Sequence, residues 1–242
     1  LDDPWKSIEI SLFTHNSLRD KAIGIKIFSI LNNSAQDYAP EKVDNGKRWK
    51  KLNPKQVSSF LKNWGQENNI VLKREKTYKS EMAILLGDAP SIRKGISCWV
   101  EEAFFSNEVN IHQFLDTAQL FYDLLHPYYG SIHSAEHKIE MATIQDPRYG
   151  KTVLPITLEK GLPGIYWANY FGPDYVERLG RDKLLSAPSY KIKQLSDGGL
   201  LLLTAPSPLV HANPEIYSRC QELMDYIGRE FFWPNHSPSL KS

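Results

Sequence analysis

The sequence predicts an α+β protein, an antiparallel or mixed β-sheet covered by helices. Three observations lead there. Short stretches alternate apolar and polar residues, as in "WKSIEISLF" over 5–13, the period of a strand. Longer stretches carry apolar residues every three or four positions, the period of a helix face. The two kinds are interspersed without a regular βαβ rhythm, and no G-x-G-x-x-G or Walker sequence marks a nucleotide site. With 242 residues, 41% apolar and 12% aromatic, the chain can bury a substantial core. We read one domain over 1–242, with an N-terminal subregion 1–106 and a C-terminal subregion 107–242.

In chain order, 5–13 reads as a half-buried strand. Ser17 offers an N-cap, with Asp20 three residues on, for a helix over 18–31 that carries Leu18, Ala22, Ile25 and Phe28. "NGKRWKKLNPKQ", 45–56, reads as a solvated basic loop around Trp49; the sharper alternative is a phosphate-contacting patch, which no Gly-rich or repeated sequence supports. Asn53 caps a short helix with Pro54 at its first position, an apolar face of Val57, Phe60, Leu61 and Trp64, and Gly65 as its end. Residues 80–86 and 92–105 read as strands joined by the turn residues 87–90. Asn110 starts the clearest helix, with Ile111, Phe114, Leu115, Ala118, Phe121, Tyr122 and Leu125 at helical spacing, and Pro127 stops it.

Residues 165–171 carry Tyr166, Trp167, Tyr170 and Phe171, a strand too aromatic to face solvent throughout. Gly172 allows a sharp turn, Pro173 takes the first helical position, and Asp174 suits the positive end of the helix dipole. Tyr175, Val176 and Leu179 form the buried face, and Gly180 closes the helix. Residues 190–195 and 200–204 form a hairpin around "SDGG". Asn213 and Pro214 open a last helix with the stripe Tyr217, Cys220, Leu223, Met224 and Ile227.

Composition narrows the function classes. Lys plus Arg is 29 and Asp plus Glu is 28, a net charge of +1, without the basic field of a general nucleic-acid binder. No direct nucleic-acid partner is expected, although local patches fit this balance. No apolar run reaches the ~18 residues of a membrane span, so no membrane partner is expected either. No signal peptide is visible, and the first residue is Leu1 rather than Met, compatible with a removed leader. The expected compartment is the cytoplasm. Cys98 and Cys220 sit in apolar surroundings and read as buried free thiols; no cysteine pair has zinc-knuckle spacing.

The sharpest local motif is "HSAEH", His133 to His137, the H-x-x-E-H signature of inverted zinc peptidases. On one helix both imidazoles could face one metal, Glu136 could move protons, and Glu215 or Glu222 could supply a third ligand. The context argues against it. Pro127 has just ended a helix, and Gly130 favours entry into a strand. A helix restarting at Ser134 would leave His133 at its cap rather than on its face. There is no G-x-S-x-G elbow, and Cys98 lies in a strand-like run rather than at an activating helix start. Asp146, before Pro147, reads as a turn opener.

The stretch 162–204 resembles the immunity protein 52 family of bacterial polymorphic-toxin and type VI secretion immunity proteins. The resemblance rests on the tryptophan strand running into "YFGPDYVERLG" (170–180), then "LLSAP" (184–188), then "DGG" (197–199). It extends more weakly to "LLHPYYGSIHSAE" (124–136) and "DPRYG" (146–150). It implies an α+β protein, not an enzyme and without cofactor or metal, that binds and silences a toxin encoded by a neighbouring gene. In that family the usual toxin is a restriction-endonuclease-like nuclease. The family's characteristic tryptophan falls on Trp167, expected as a core anchor within a motif that includes Phe171, Gly172, Pro173 and Gly180. Carboxylates that mimic phosphates could occlude a nuclease site; the candidates are Glu101, Glu102, Asp146, Asp174 and Glu177. The alternatives are a zinc peptidase using "HSAEH" and an interaction module with another partner.

Overall fold

A computed structural model describes residues 6–44, 48–87, 93–146, 150–153, 158, 160–209 and 215–233, with side chains at 54–56, 144–146 and 151–153 left aside. The architecture is α+β, with antiparallel sheet and helices. Two compact units divide the chain, Leu1–Gly130 and Ser131–Ser242.

The first unit starts with β1 (Ser7–Thr14) and α1 (Lys21–Ser34), followed by β2 (Lys42–Asp44), β3 (Trp49–Lys51) and α2 (Pro54–Leu61). Then come β4 (Asn69–Arg74), β5 (Ser80–Leu85), β6 (Lys94–Glu101), a 3₁₀ turn (Glu102–Ser106) and α3 (Glu108–Leu125). The strand order is β1-β6-β5-β4-β2-β3, and each pair is antiparallel. On β1, Ile8, Ile10 and Leu12 alternate with Ser7, Glu9 and Ser11, as the period-two pattern requires. The expectation of a half-buried strand fails, because the polar face is buried as well. Hydrogen bonds compensate: Ser11 Oγ donates to Glu9 at 2.6 Å and lies 2.8 Å from Ser97 Oγ.

The first helix starts later than the sequence suggested. Asp20, not Ser17, is the N-cap, its carboxylate accepting the Ala22 amide at 2.8 Å. Leu18 precedes the helix and is buried there, its carbonyl accepting the Trp64 indole N–H at 2.8 Å. Similarly, Asn107 rather than Asn110 caps α3, and His126 ends it in the left-handed conformation. The second strand of the 80–105 pair stops at Glu101, with Phe104 and Phe105 buried in the 3₁₀ turn. The turn expected at 87–90 extends beyond the described residues. The basic stretch is not simply a loop: residues 49–51 form β3, paired with β2.

The boundary falls within β7 (Tyr129–Ser134), most of which belongs to the second unit with α4 (Ala135–Ala142), β8 (Thr143–Asp146), β9 (Gly150–Val153) and β10 (Ala168–Phe171). It continues with α5 (Pro173–Leu179), α6 (Arg181–Leu185), β11 (Lys191–Gln194), β12 (Leu200–Leu203) and α7 (Ile216–Ile227). Strand order runs β11-β12-β10-β7, while β8 and β9 form a separate hairpin. The aromatic strand is shorter than 165–171, yet Ile165, Tyr166 and Trp167 ahead of it are all buried. Gly172 caps α5 with Pro173 following, and Gly180, at φ +91°, ends it in a conformation that costs other residues more. The last helix buries Ile216, Cys220, Leu223, Met224 and Ile227; the expected openers Asn213 and Pro214 lie outside the described residues. Both cysteines are buried free thiols, pushed up to about 12 chiefly by desolvation. Among the described residues, no helix is long and apolar enough to cross a membrane.

Gly24 tests the packing of the first unit. It lies within α1, where alanine is the better helix former by about 1 kcal/mol. A Cβ there would sit 2.6 Å from Trp64 Cδ2 and 2.9 Å from Leu61 Cδ2. Gly24→Ala is therefore expected to destabilise the protein by about 1–3 kcal/mol. Urea unfolding measures this, and an unchanged or raised midpoint would contradict the packing described.

Candidate functional site

The two histidines of "HSAEH" come from different elements. His133 is on β7, and His137 lies in the first turn of α4. Ser134 makes the transition: its side chain accepts the His137 amide at 3.1 Å, the usual work of a serine N-cap. Both imidazoles are buried, at 2% and 1% exposure. His133 Nδ1 donates to the Ser134 carbonyl at 3.1 Å. The Tyr166 ring lies 4.7 Å from the His133 ring and 5.2 Å from the His137 ring, and Tyr217 of α7 is 4.8 Å from His137.

Tyr166 is held from behind. The Asn169 amide accepts the Tyr166 N–H and donates to the Tyr166 carbonyl, each at 2.9 Å, with Asn169 fully buried. One residue on, the Trp167 indole donates to the Ala205 carbonyl at 2.8 Å, and its own carbonyl accepts the Thr204 amide at 2.9 Å. Trp167 is thus a core residue at the junction of β10 with β12.

This environment sets the protonation of the cluster. Burial first, and the neighbouring His133 second, push His137 down to about 3 from its usual 6.5. Burial, followed by the Glu136 and Glu140 carboxylates, pushes the Tyr217 hydroxyl up to about 12.

The arrangement does not match a zinc peptidase. Glu136 is exposed while His137 beside it is buried among aromatic rings. Glu215 and Glu222 are exposed on or beside α7, and Glu215 pairs with Arg219 at 3.0 Å. Among the described residues, no group of three or more His, Cys, Asp or Glu is placed to hold a metal.

The five candidate acids come from several elements, Glu101 and Glu102 in the first unit and Asp146, Asp174 and Glu177 in the second. Glu101 ends β6, and its carboxylate accepts the Lys79 amide at 3.1 Å; Glu102 follows in the 3₁₀ turn. Both are part-exposed. Asp174 and Glu177 are exposed on α5, three residues apart and so on one face. Asp146 closes β8 and pairs with Gly150 of β9; the residues that follow it, 147–149, where a turn was expected, lie outside the described residues. Sequence reasoning missed Asn169, which lay unremarked inside an aromatic run. It also missed Tyr217 as the neighbour of His137; its only signal was a place on the apolar stripe of the last helix.

The fold defines an α+β protein of a known structural kind. The chain is similar to a solved structure described as Pseudomonas aeruginosa T6SS protein PA0821, with a TM-score of 0.64 and 10% identity over 93% of this chain and 73% of that one. No family model and no curated protein matches the sequence.

The depressed His137 pKa has a stability consequence. Between pH 6.5 and about 3 the unfolded chain takes up a proton at this position and the folded chain does not. Stability therefore falls as pH drops through that window, by about 1.4 kcal/mol per pH unit from this group alone. Urea midpoints across this range should show the decline, and His137→Phe should flatten its slope relative to wild type. Equal slopes in the two proteins would contradict the burial of a neutral His137.

Proposed function

We propose that the chain is an immunity protein, a stoichiometric inhibitor that binds a cognate antibacterial toxin of a type VI secretion system in the cytoplasm. The observation that carries this reading is the shared fold with a protein described as belonging to that secretion system, spanning 93% of the chain. The resemblance of 162–204 to the immunity protein 52 family supports the same reading. So does the burial of the "HSAEH" histidines, which leaves the most suggestive catalytic motif inside the core.

An inhibitor of this kind works by occlusion. A tight one-to-one complex buries roughly 1,600 Å² and draws most of its affinity from a few central anchors. The toxin is proposed to be a restriction-endonuclease-like nuclease, whose site gathers positive charge to hold phosphates. Carboxylates presented together then steer the encounter. Asp174 and Glu177 are the best-placed pair, exposed on one face of a helix that Pro173 starts and Gly180 stops. Glu101 is the least favourable, its carboxylate already engaged by a backbone amide.

The test is calorimetric titration against a catalytically inactivated domain of the toxin encoded beside this gene. The expected result is a one-to-one complex of nanomolar affinity. Asp174→Lys with Glu177→Lys should weaken it at least about tenfold, mostly through a slower association rate. Absence of binding by the folded protein would overturn the proposal.

A further inference from the structure

The basic stretch around Trp49 has a structural setting that the inhibitor reading does not use. β3 is the outermost strand of the first unit's sheet, paired only with β2 among the described residues. Beside it lies an open groove of about 840 Å³, bounded by β2, β3, β4, α2 and the segment after α2. Arg48, Lys50 and Lys51 line it, together with Trp49 and Phe60.

The charges there are not neutralised alike. Lys73, on the neighbouring β4, is paired with Glu75 at 2.7 Å, and Lys42 bonds the same carboxylate. These pairs hold Glu75 well below the usual carboxylate range, at about 2. Lys50 and Lys51 make no ion pair with any described residue and are exposed. Trp49 is 37% exposed, unusually so for a tryptophan. The Lys73 ammonium lies 4.3 Å from its ring centre and braces it, while the residue lines the groove. Asn63, Gln66 and Asn69 bring exposed amides to the same groove, able to donate and accept at the edge of a base.

A braced aromatic platform, Lys51 on the same face of the edge strand, Lys50 on its other face, and nearby amides form a constellation that takes a single-stranded nucleic acid at the sheet edge without strong sequence preference. We propose that the groove beside β3 binds a short single-stranded nucleic acid at the sheet edge, with a base stacked on Trp49 and phosphates on Lys50 and Lys51. Asp44 and Glu67 also line the groove and reduce its field. Binding is therefore weak, local and salt-sensitive, which agrees with a net charge of only +1. An acidic protein segment would satisfy the lysines but leave the tryptophan platform and the amides without a role. The proposal is independent of toxin binding.

Fluorescence anisotropy with the full chain tests it, using a labelled oligothymidylate of about twenty nucleotides. Two phosphate contacts predict a slope of about −1.4 in log affinity against log salt, or roughly a sevenfold loss between 50 and 200 mM. An abasic oligomer of equal length should bind at least about fivefold more weakly, and Trp49→Ala should lose a similar factor. Lys50→Glu with Lys51→Glu should abolish binding while leaving the far-UV spectrum and urea midpoint in place. No binding at low salt would overturn the proposal. So would equal binding of the abasic oligomer, or of polyglutamate, which would assign the groove to an acidic protein segment. The oligomer comparisons use the wild-type protein, so they decide the matter even if a variant fails to fold.

Discussion

The centre of the second unit depends on one side-chain amide. Asn169 is fully buried and meets both backbone groups of Tyr166 at 2.9 Å. Tyr166 stands just outside β10, where no neighbouring strand completes its hydrogen bonds, and a buried peptide left bare there costs about 1–3 kcal/mol per group. Only an amide side chain can both accept and donate in this way; a carboxylate lacks the donor and an aliphatic chain lacks both. With its backbone fixed, Tyr166 presents its ring to His133 and His137, and Trp167 is carried into the core to reach Ala205.

That constraint bears directly on function. A catalytic metal site needs ligands that converge, an open position for water, and an acid or base beside it. Here the imidazoles pack on aromatic rings in the core, while Glu136 is exposed. Burial keeps His137 neutral, which suits a packing role and ties the stability of this unit to pH.

Much of the fold was legible because it followed local physics. Periodicity exposed β1, α2, α3 and the β11–β12 hairpin, and Pro173 with Gly180 bounded α5 to the residue. β2 and β3 are three residues each, too short for any period, and they exist only through pairing with strands distant in sequence. The five-residue α6 escaped for the same reason of length. Helix starts were misplaced where several residues could cap: Ser17 and Asp20 compete for α1, and only the structure shows which carboxylate or hydroxyl reaches the amides. At the candidate site, the break at Ser134 was readable from Pro127 and Gly130. The partners of the histidines were not, since Tyr166, Asn169 and Tyr217 arrive from later segments.

The central claim is that the histidines of "HSAEH" are core packing residues and not metal ligands. The most direct test is the zinc content of the purified protein, measured by mass spectrometry after dialysis against a weak chelator, for wild type and His137→Ala. The account predicts zinc far below one per chain in both. One tightly held zinc per wild-type chain, lost in His137→Ala, would contradict it and return these residues to a metal site.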